Sequence, residues 1–88
     1  MGDLLHTLTT IAKNAGLFGS FETSTILLAK ALNTSQQTMS RKLIEMDREG
    51  FISRKPTAKG MAISLAEKGR GDLITWHNEL RAIFLKRD

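Results

Sequence analysis

Residues Leu32 to Phe51, LNTSQQTMSRKLIEMDREGF, read as a turn, a helix start, an amphipathic helix and a helix stop. Asn33 and Thr34 are turn formers. Ser35 is a good N-cap, because its hydroxyl can accept a hydrogen bond from an early, otherwise unpaired N–H. Met39, Leu43 and Met46 recur at i, i+4 and i+7 and so share one face, with Gln37, Arg41 and Arg48 opposite. Gly50 can take the left-handed conformation that closes a helix. The helix is therefore predicted over about 35–49. Its outer side near the start carries Gln, Thr, Ser and Arg, whose donors and acceptors match base edges in a DNA major groove. An ordinary surface helix has the same apolar face, so the flanking sequence has to weigh in.

Upstream, Leu4 to Ala15 predicts a first helix with an apolar stripe of Leu4, Leu8, Ile11, Ala12 and Ala15. Asp3 would cap it, His6 and Thr7 would lie on its polar side, and Asn14 and Gly16 mark its end. Leu17 to Glu22 predicts a short extended segment, such as a one-bridge strand at a sheet edge. Thr23 or Ser24 then caps a second helix running to about Leu32, apolar enough to pack on both the first and the third. Second helix, turn and third helix have helix-turn-helix spacing, in which the second of the pair enters the groove. Any two helices joined by a short loop share that spacing.

Downstream of Gly50 the pattern leans towards alternation. A two-stranded hairpin is predicted over about 52–65, with Thr57-Ala58-Lys59-Gly60 as its tip and Pro56 near the tip or on the edge side. Arg54, Lys55 and Lys59 make this a basic wing, although Lys also serves simply to keep an edge strand soluble. A last helix is predicted over about 67–85, with Leu73, Trp76, Leu80, Ile83 and Phe84 on its apolar face. Gly69 and Gly71 weaken its first turns, so a late start near Gly71 or Asp72 is expected, and Lys86, Arg87 and Asp88 should fray.

The chain has 88 residues, a formal net charge of +4 and no cysteine. One small domain is the prior for that length. No disulfide framework or thiolate metal site is possible, which fits a reducing, cytoplasmic setting. The basic balance favours an anionic partner, and no apolar run approaches a membrane span. No signal peptide, repeat or low-complexity segment is visible.

The segment SQQTMSRKLIEMDREGFISR followed by ISLAEKGRGDL resembles winged helix-turn-helix transcription factors of the MarR-like and related archaeal kinds. The matching positions are Ser35, Thr38, Ser40, Arg41, Leu43, Glu49, Gly50, Phe51 and Ile52, then Ile63, Leu65, Glu67, Lys68 and Gly69, and the likeness spans roughly residues 4–75. It implies a mainly α fold: a three-helix core, a two-stranded β-wing and a C-terminal helix, as a single domain over 1–88. The chain departs from the pattern at Ala66, where a Thr cap is usual, at Gly71, and at Ile44 on the outward face of the third helix. Ile44 could touch a thymine methyl, contact a partner, or be a harmless exposed side chain. A narrower resemblance is to the N-terminal winged-helix domain of archaeal CTP-dependent riboflavin kinases, carried by the recognition-helix segment, the early leucines and the last helix with its Trp. That family would imply DNA binding by this domain and regulation of riboflavin genes. No kinase domain follows Asp88, so catalysis is not carried over.

No enzyme signature is found. Gly69-Arg70-Gly71 lacks the spacing of a phosphate loop, and His6 and His77 have no carboxylate at ligand spacing. The chain is therefore expected to be no enzyme and to need no metal or cofactor. Three functions compete. The first is a DNA-binding transcription regulator acting on double-stranded DNA: Gln36, Gln37, Thr38 and Arg41 face bases, Ser35, Ser40 and Lys42 lie near phosphates, and Arg54, Lys55, Thr57 and Lys59 hold the backbone or minor groove. The second is a winged helix used for protein contact. The third is the N-terminal regulatory module of a riboflavin kinase. The surplus apolar residues of the last helix predict a homodimer through it.

Overall fold

The computed structural model describes residues 2–86, with side chains from residue 4 onward. Asp3 as a cap and fraying at Arg87 and Asp88 therefore lie outside the described residues. The chain is mainly helical: α1 (Gly2–Ala15), β1 (Ser20–Thr23), α2 (Thr25–Ala31), α3 (Gln36–Arg48), β2 (Ile52–Thr57), β3 (Gly60–Leu65) and α4 (Glu67–Leu85). The three strands form one antiparallel sheet in the order β1-β3-β2. The sheet is thus larger than a lone hairpin. β1 pairs over four residues, from Ser20 opposite Ser64 to Thr23 opposite Met61, rather than by one bridge.

Local chemistry sets the helix ends. Ser24 Oγ accepts from the Leu27 N–H, and Ser35 Oγ from the Thr38 N–H at 3.1 Å. Both α2 and α3 close the same way. After α2, Asn33 adopts φ +54; its N–H reaches Lys30 O, and that of Thr34 reaches Ala29 O at 2.9 Å. After α3, Gly50 adopts φ +86; its N–H reaches Asp47 O, and that of Phe51 reaches Met46 O at 2.9 Å. These paired bonds satisfy carbonyls that a helix end leaves open, and they need a residue tolerant of positive φ.

Leu8 and Ile11 of α1, Leu28 and Ala29 of α2, and Met39, Leu43 and Met46 of α3 meet Phe51, Ile52, Met61, Ile63 and Leu65 in one buried cluster. β3 supplies three of these because it is central and alternates, with Met61, Ile63 and Leu65 inward. Thr7 corrects one expectation. It is buried, not on a polar side, because it lies one turn from Leu4 and Ile11 on the face that meets the core. α2 corrects another: it packs chiefly on α3, and Ile26 and Leu27 are left exposed.

α4 begins at Glu67, not near Gly71 or Asp72. Ala66 is its N-cap residue and offers no side-chain cap, but other bonds hold the start. The Ala66 N–H donates to Phe51 O at 2.9 Å, Arg70 Nη1 donates to Leu65 O at 2.9 Å, and Lys68 Nζ lies 4.5 Å from the centre of the Phe51 ring. Gly69 is buried against the Phe51 carbonyl, where a Cβ would collide with that oxygen. The glycine that weakens the helix by propensity is what lets it approach the sheet.

Candidate nucleic-acid interface

The outward stripe of α3 is Gln37, Arg41, Ile44 and Arg48, all exposed. It is set by the opposite stripe, Met39, Leu43 and Met46, being buried. Gln36 and Thr38 are exposed beside it in the first turn, and Ser40 and Lys42 are half-buried on its flanks. The first turn of α3 holds no acidic residue, so its exposed N–H groups keep their partial positive charge. Ser35 and Thr38 are already engaged with one another: Ser35 Oγ donates to Thr38 Oγ1 at 2.8 Å while accepting the Thr38 N–H. Their first duty is to cap the helix.

The hairpin stands beside the flank of α3 that carries Gln36 and Asp47. A cleft of 260 Å³ lies between Ser24, Thr25, Ile26, Gln36, Gly60 and Met61, and another of 330 Å³ between Asp47, Arg54, Lys55, Pro56, Gly60 and Met61. Lys55 and Lys59 are exposed, with Lys59 in the two-residue turn at Ala58–Lys59. Pro56 sits on β2, an edge strand, where its missing N–H breaks no sheet bond on the open side.

Two expected wing contacts are placed otherwise. Arg54 lies opposite Ile63 in the register and therefore shares the inner face of the sheet; its Nε donates to Asp47 Oδ2 at 3.0 Å. Its charge is matched within the chain before any ligand arrives. Thr57 is half-buried, and its Oγ1 is buried with no hydrogen-bond partner, so that hydroxyl is turned away from a surface ligand. Gln36, Gln37, Thr38 and Arg41 are exposed on α3, with Ser40 and Lys42 half-buried at its margin, and Lys55 and Lys59 are exposed on the hairpin. The alternation that sends Arg54 inward sends Lys55 to the opposite face of the sheet. Asp47, which sequence reasoning passed over, links α3 to β2 through Arg54. Alternation counted from Ile52 puts Arg54 inward and could have flagged it.

Comparison with known proteins bears on what carries these residues. Over 83 residues the chain is 35% identical to a riboflavin kinase from Picrophilus torridus, an alignment that covers 94% of this chain and 38% of the relative. It is 33% identical over 76 residues to a riboflavin kinase from Pyrococcus furiosus, covering 86% of this chain and 36% of that protein. A riboflavin kinase from Thermoplasma acidophilum is 38% identical over 56 residues. Over most of its length the chain is similar to one part of these riboflavin kinases. It spans little more than a third of the length of the Picrophilus and Pyrococcus proteins. No family model matches the chain.

These relatives overturn two expectations. The chain was expected to be no enzyme, and the relatives are named for an enzyme. A DNA-binding transcription regulator was expected, and they are kinases by name. The riboflavin kinase module, the alternative drawn from the last helix and the recognition segment, is the reading that the comparison favours. Among the described residues no helix is long and apolar enough to cross a membrane.

Proposed function

We propose that this chain serves as the accessory module of a riboflavin kinase, folded as a winged helix-turn-helix, with phosphoryl transfer to riboflavin belonging to the larger remaining part of such an enzyme. The observation that carries the reading is the asymmetry of the match: 94% of this chain against 38% of the Picrophilus enzyme. The order α1, β1, α2, α3, β2, β3, α4 supports the winged-helix part, since a helix pair with a tight turn is followed by a hairpin on the sheet. A segment-exchange experiment tests it. This chain replaces the matching segment of the Picrophilus kinase, and riboflavin phosphorylation is compared among parent, exchange and deletion forms. The exchange form should fold and match the parent. An exchange form less active than the deletion form would show that the two segments are not equivalent.

Within that module, the exposed residues Gln36, Gln37, Thr38 and Arg41 of α3 and Lys55 and Lys59 of the hairpin are assigned to duplex DNA, with Ser35, Ser40 and Lys42 supporting them. What favours this over protein contact is charge: the hairpin carries Lys55 and Lys59 exposed and no carboxylate. Phosphate neutralisation by such residues releases counterions, so binding must weaken as salt rises. Retention on a duplex that ignores salt would turn the reading towards a protein partner.

A further inference from the structure

The outward stripe of α3 runs Gln37, Arg41, Ile44 and Arg48, in steps of four, three and four residues. At 3.6 residues per turn these four lie within about 60° of one another around the helix. Three of them end in hydrogen-bonding or charged groups. Ile44 carries only hydrocarbon, and it is 44% exposed. The core makes no use of it, because Met39, Leu43 and Met46 fill the buried side of the helix. Its neighbours one turn away along α3 are Ser40, Arg41, Asp47 and Arg48, all of them polar or charged. Apolar docking surfaces for proteins are contiguous patches, and one isoleucine set between two arginines is not such a patch.

A lone exposed isoleucine is ordinary on a free surface. In a groove it is not. With α3 in the major groove, Ile44 goes in on the same line as Arg41, covers a base edge and shuts water out. Adenine, guanine and cytosine present donors and acceptors there, and hydrocarbon over such an edge leaves it unpaired, which costs free energy. Thymine presents an apolar group as well, its C5 methyl. We propose that Ile44 reads the C5 methyl of a thymine one or two base pairs from the base contacted by Arg41. The spacing follows from the helix. Three residues rise about 4.5 Å along its axis, against about 3.4 Å between stacked bases. Arg41 is suited to guanine, whose O6 and N7 accept two of its N–H groups. The stripe thus selects a guanine and a thymine, adjacent or one pair apart, on either strand. This inference rests on the assignment of α3 to duplex DNA and adds the bases that the helix selects.

Exchanging thymine for deoxyuridine removes the methyl and nothing else. A duplex selected by this chain from random sequence is remade with uracil at each thymine in turn. Each form is titrated with the wild-type chain and with Ile44→Ala. The variant keeps the fold, because Ile44 lies outside the core and alanine is the better helix former. For the wild type, uracil at one thymine per bound chain, within two pairs of a guanine, should weaken binding about fourfold, the worth of one buried methyl group. Ile44→Ala should bind the two forms alike. A wild type indifferent to uracil at every thymine overturns the proposal. So does a penalty that persists in Ile44→Ala, since another side chain then reads the methyl. In both cases retention that falls as salt rises leaves the DNA assignment standing. Absence of salt-dependent retention on any duplex overturns the assignment and the proposal together.

Discussion

Arg54 of β2 and Asp47 of α3 are joined at 3.0 Å, an ion pair that bridges the hairpin and the helix beside it at the rim of their shared core. Both side chains are partly exposed, at 28% and 37%, so the pair contributes modestly, about 0.5–1 kcal/mol. Asp47→Asn should therefore lower stability in urea titration by no more than that. It should also strengthen duplex retention at low salt, because it removes a carboxylate from between α3 and the hairpin and releases Arg54. Unchanged or weaker retention would mean that Arg54 does not reach the ligand even when freed.

Gly69 and Gly71 should respond in opposite directions to the same substitution. A Cβ at Gly69 meets the Phe51 carbonyl and Leu8, whereas one at Gly71 meets nothing within 4 Å. Gly69→Ala should cost about 1–3 kcal/mol as an overpacked contact. Gly71→Ala should stabilise by about 0.4–1 kcal/mol through helix propensity and the loss of unfolded-chain freedom. Chemical denaturation of both variants decides it, and two changes of the same sign would contradict the placement of α4 against the sheet.

Ser35 and Ala66 test the helix starts. Ser35→Ala removes a hydroxyl that accepts the Thr38 N–H, and should cost about 0.5–2 kcal/mol. Ala66 has the extended backbone of an N-cap, φ −95 and ψ 178, but no capping atom. Ala66→Ser should gain about 1 kcal/mol by supplying one. Thermal melts would show the two shifts as a fall and a rise.

Arg41 and Lys59 separate reading from holding. Arg41 stands on the outward stripe of α3 one turn after Gln37, and its guanidinium can form two parallel bonds to one guanine. Lys59 stands in the hairpin turn, where a flexible ammonium meets phosphate. Arg41→Ala should cost about 1–3 kcal/mol on a selected duplex and flatten preference at one base. Lys59→Ala should weaken all duplexes alike and lower the salt slope by about one unit. Equal losses for Arg41→Ala on selected and scrambled duplexes would make it a phosphate contact. No effect from either variant would remove α3 from the groove.

Sequence alone determined the parts of this protein whose causes are local. The N-cap at Ser35, the turn at Asn33, the stop at Gly50 and the buried stripe Met39–Leu43–Met46 all follow from hydrogen bonds and side-chain spacing within one or two helical turns, while the choice of Ser24 over Thr23 as the cap of α2 came with the structure. The exposed polar stripe of α3 follows from the same periodicity. Tertiary structure decided what depends on residues distant in the chain. The start of α4 was misjudged because the Phe51 carbonyl, which both bonds the Ala66 N–H and demands glycine at 69, enters from another element. Arg54 was assigned to a ligand because its inward register and its carboxylate become visible only once β2 is paired with β3 and laid on α3. β1 became a full strand because β3 offered it a free edge, which a four-residue segment cannot announce by itself. The apolar surplus of α4 was plain in the sequence; that its far half clears the body, leaving Ile83 and Phe84 uncovered, is a matter of where the core ends.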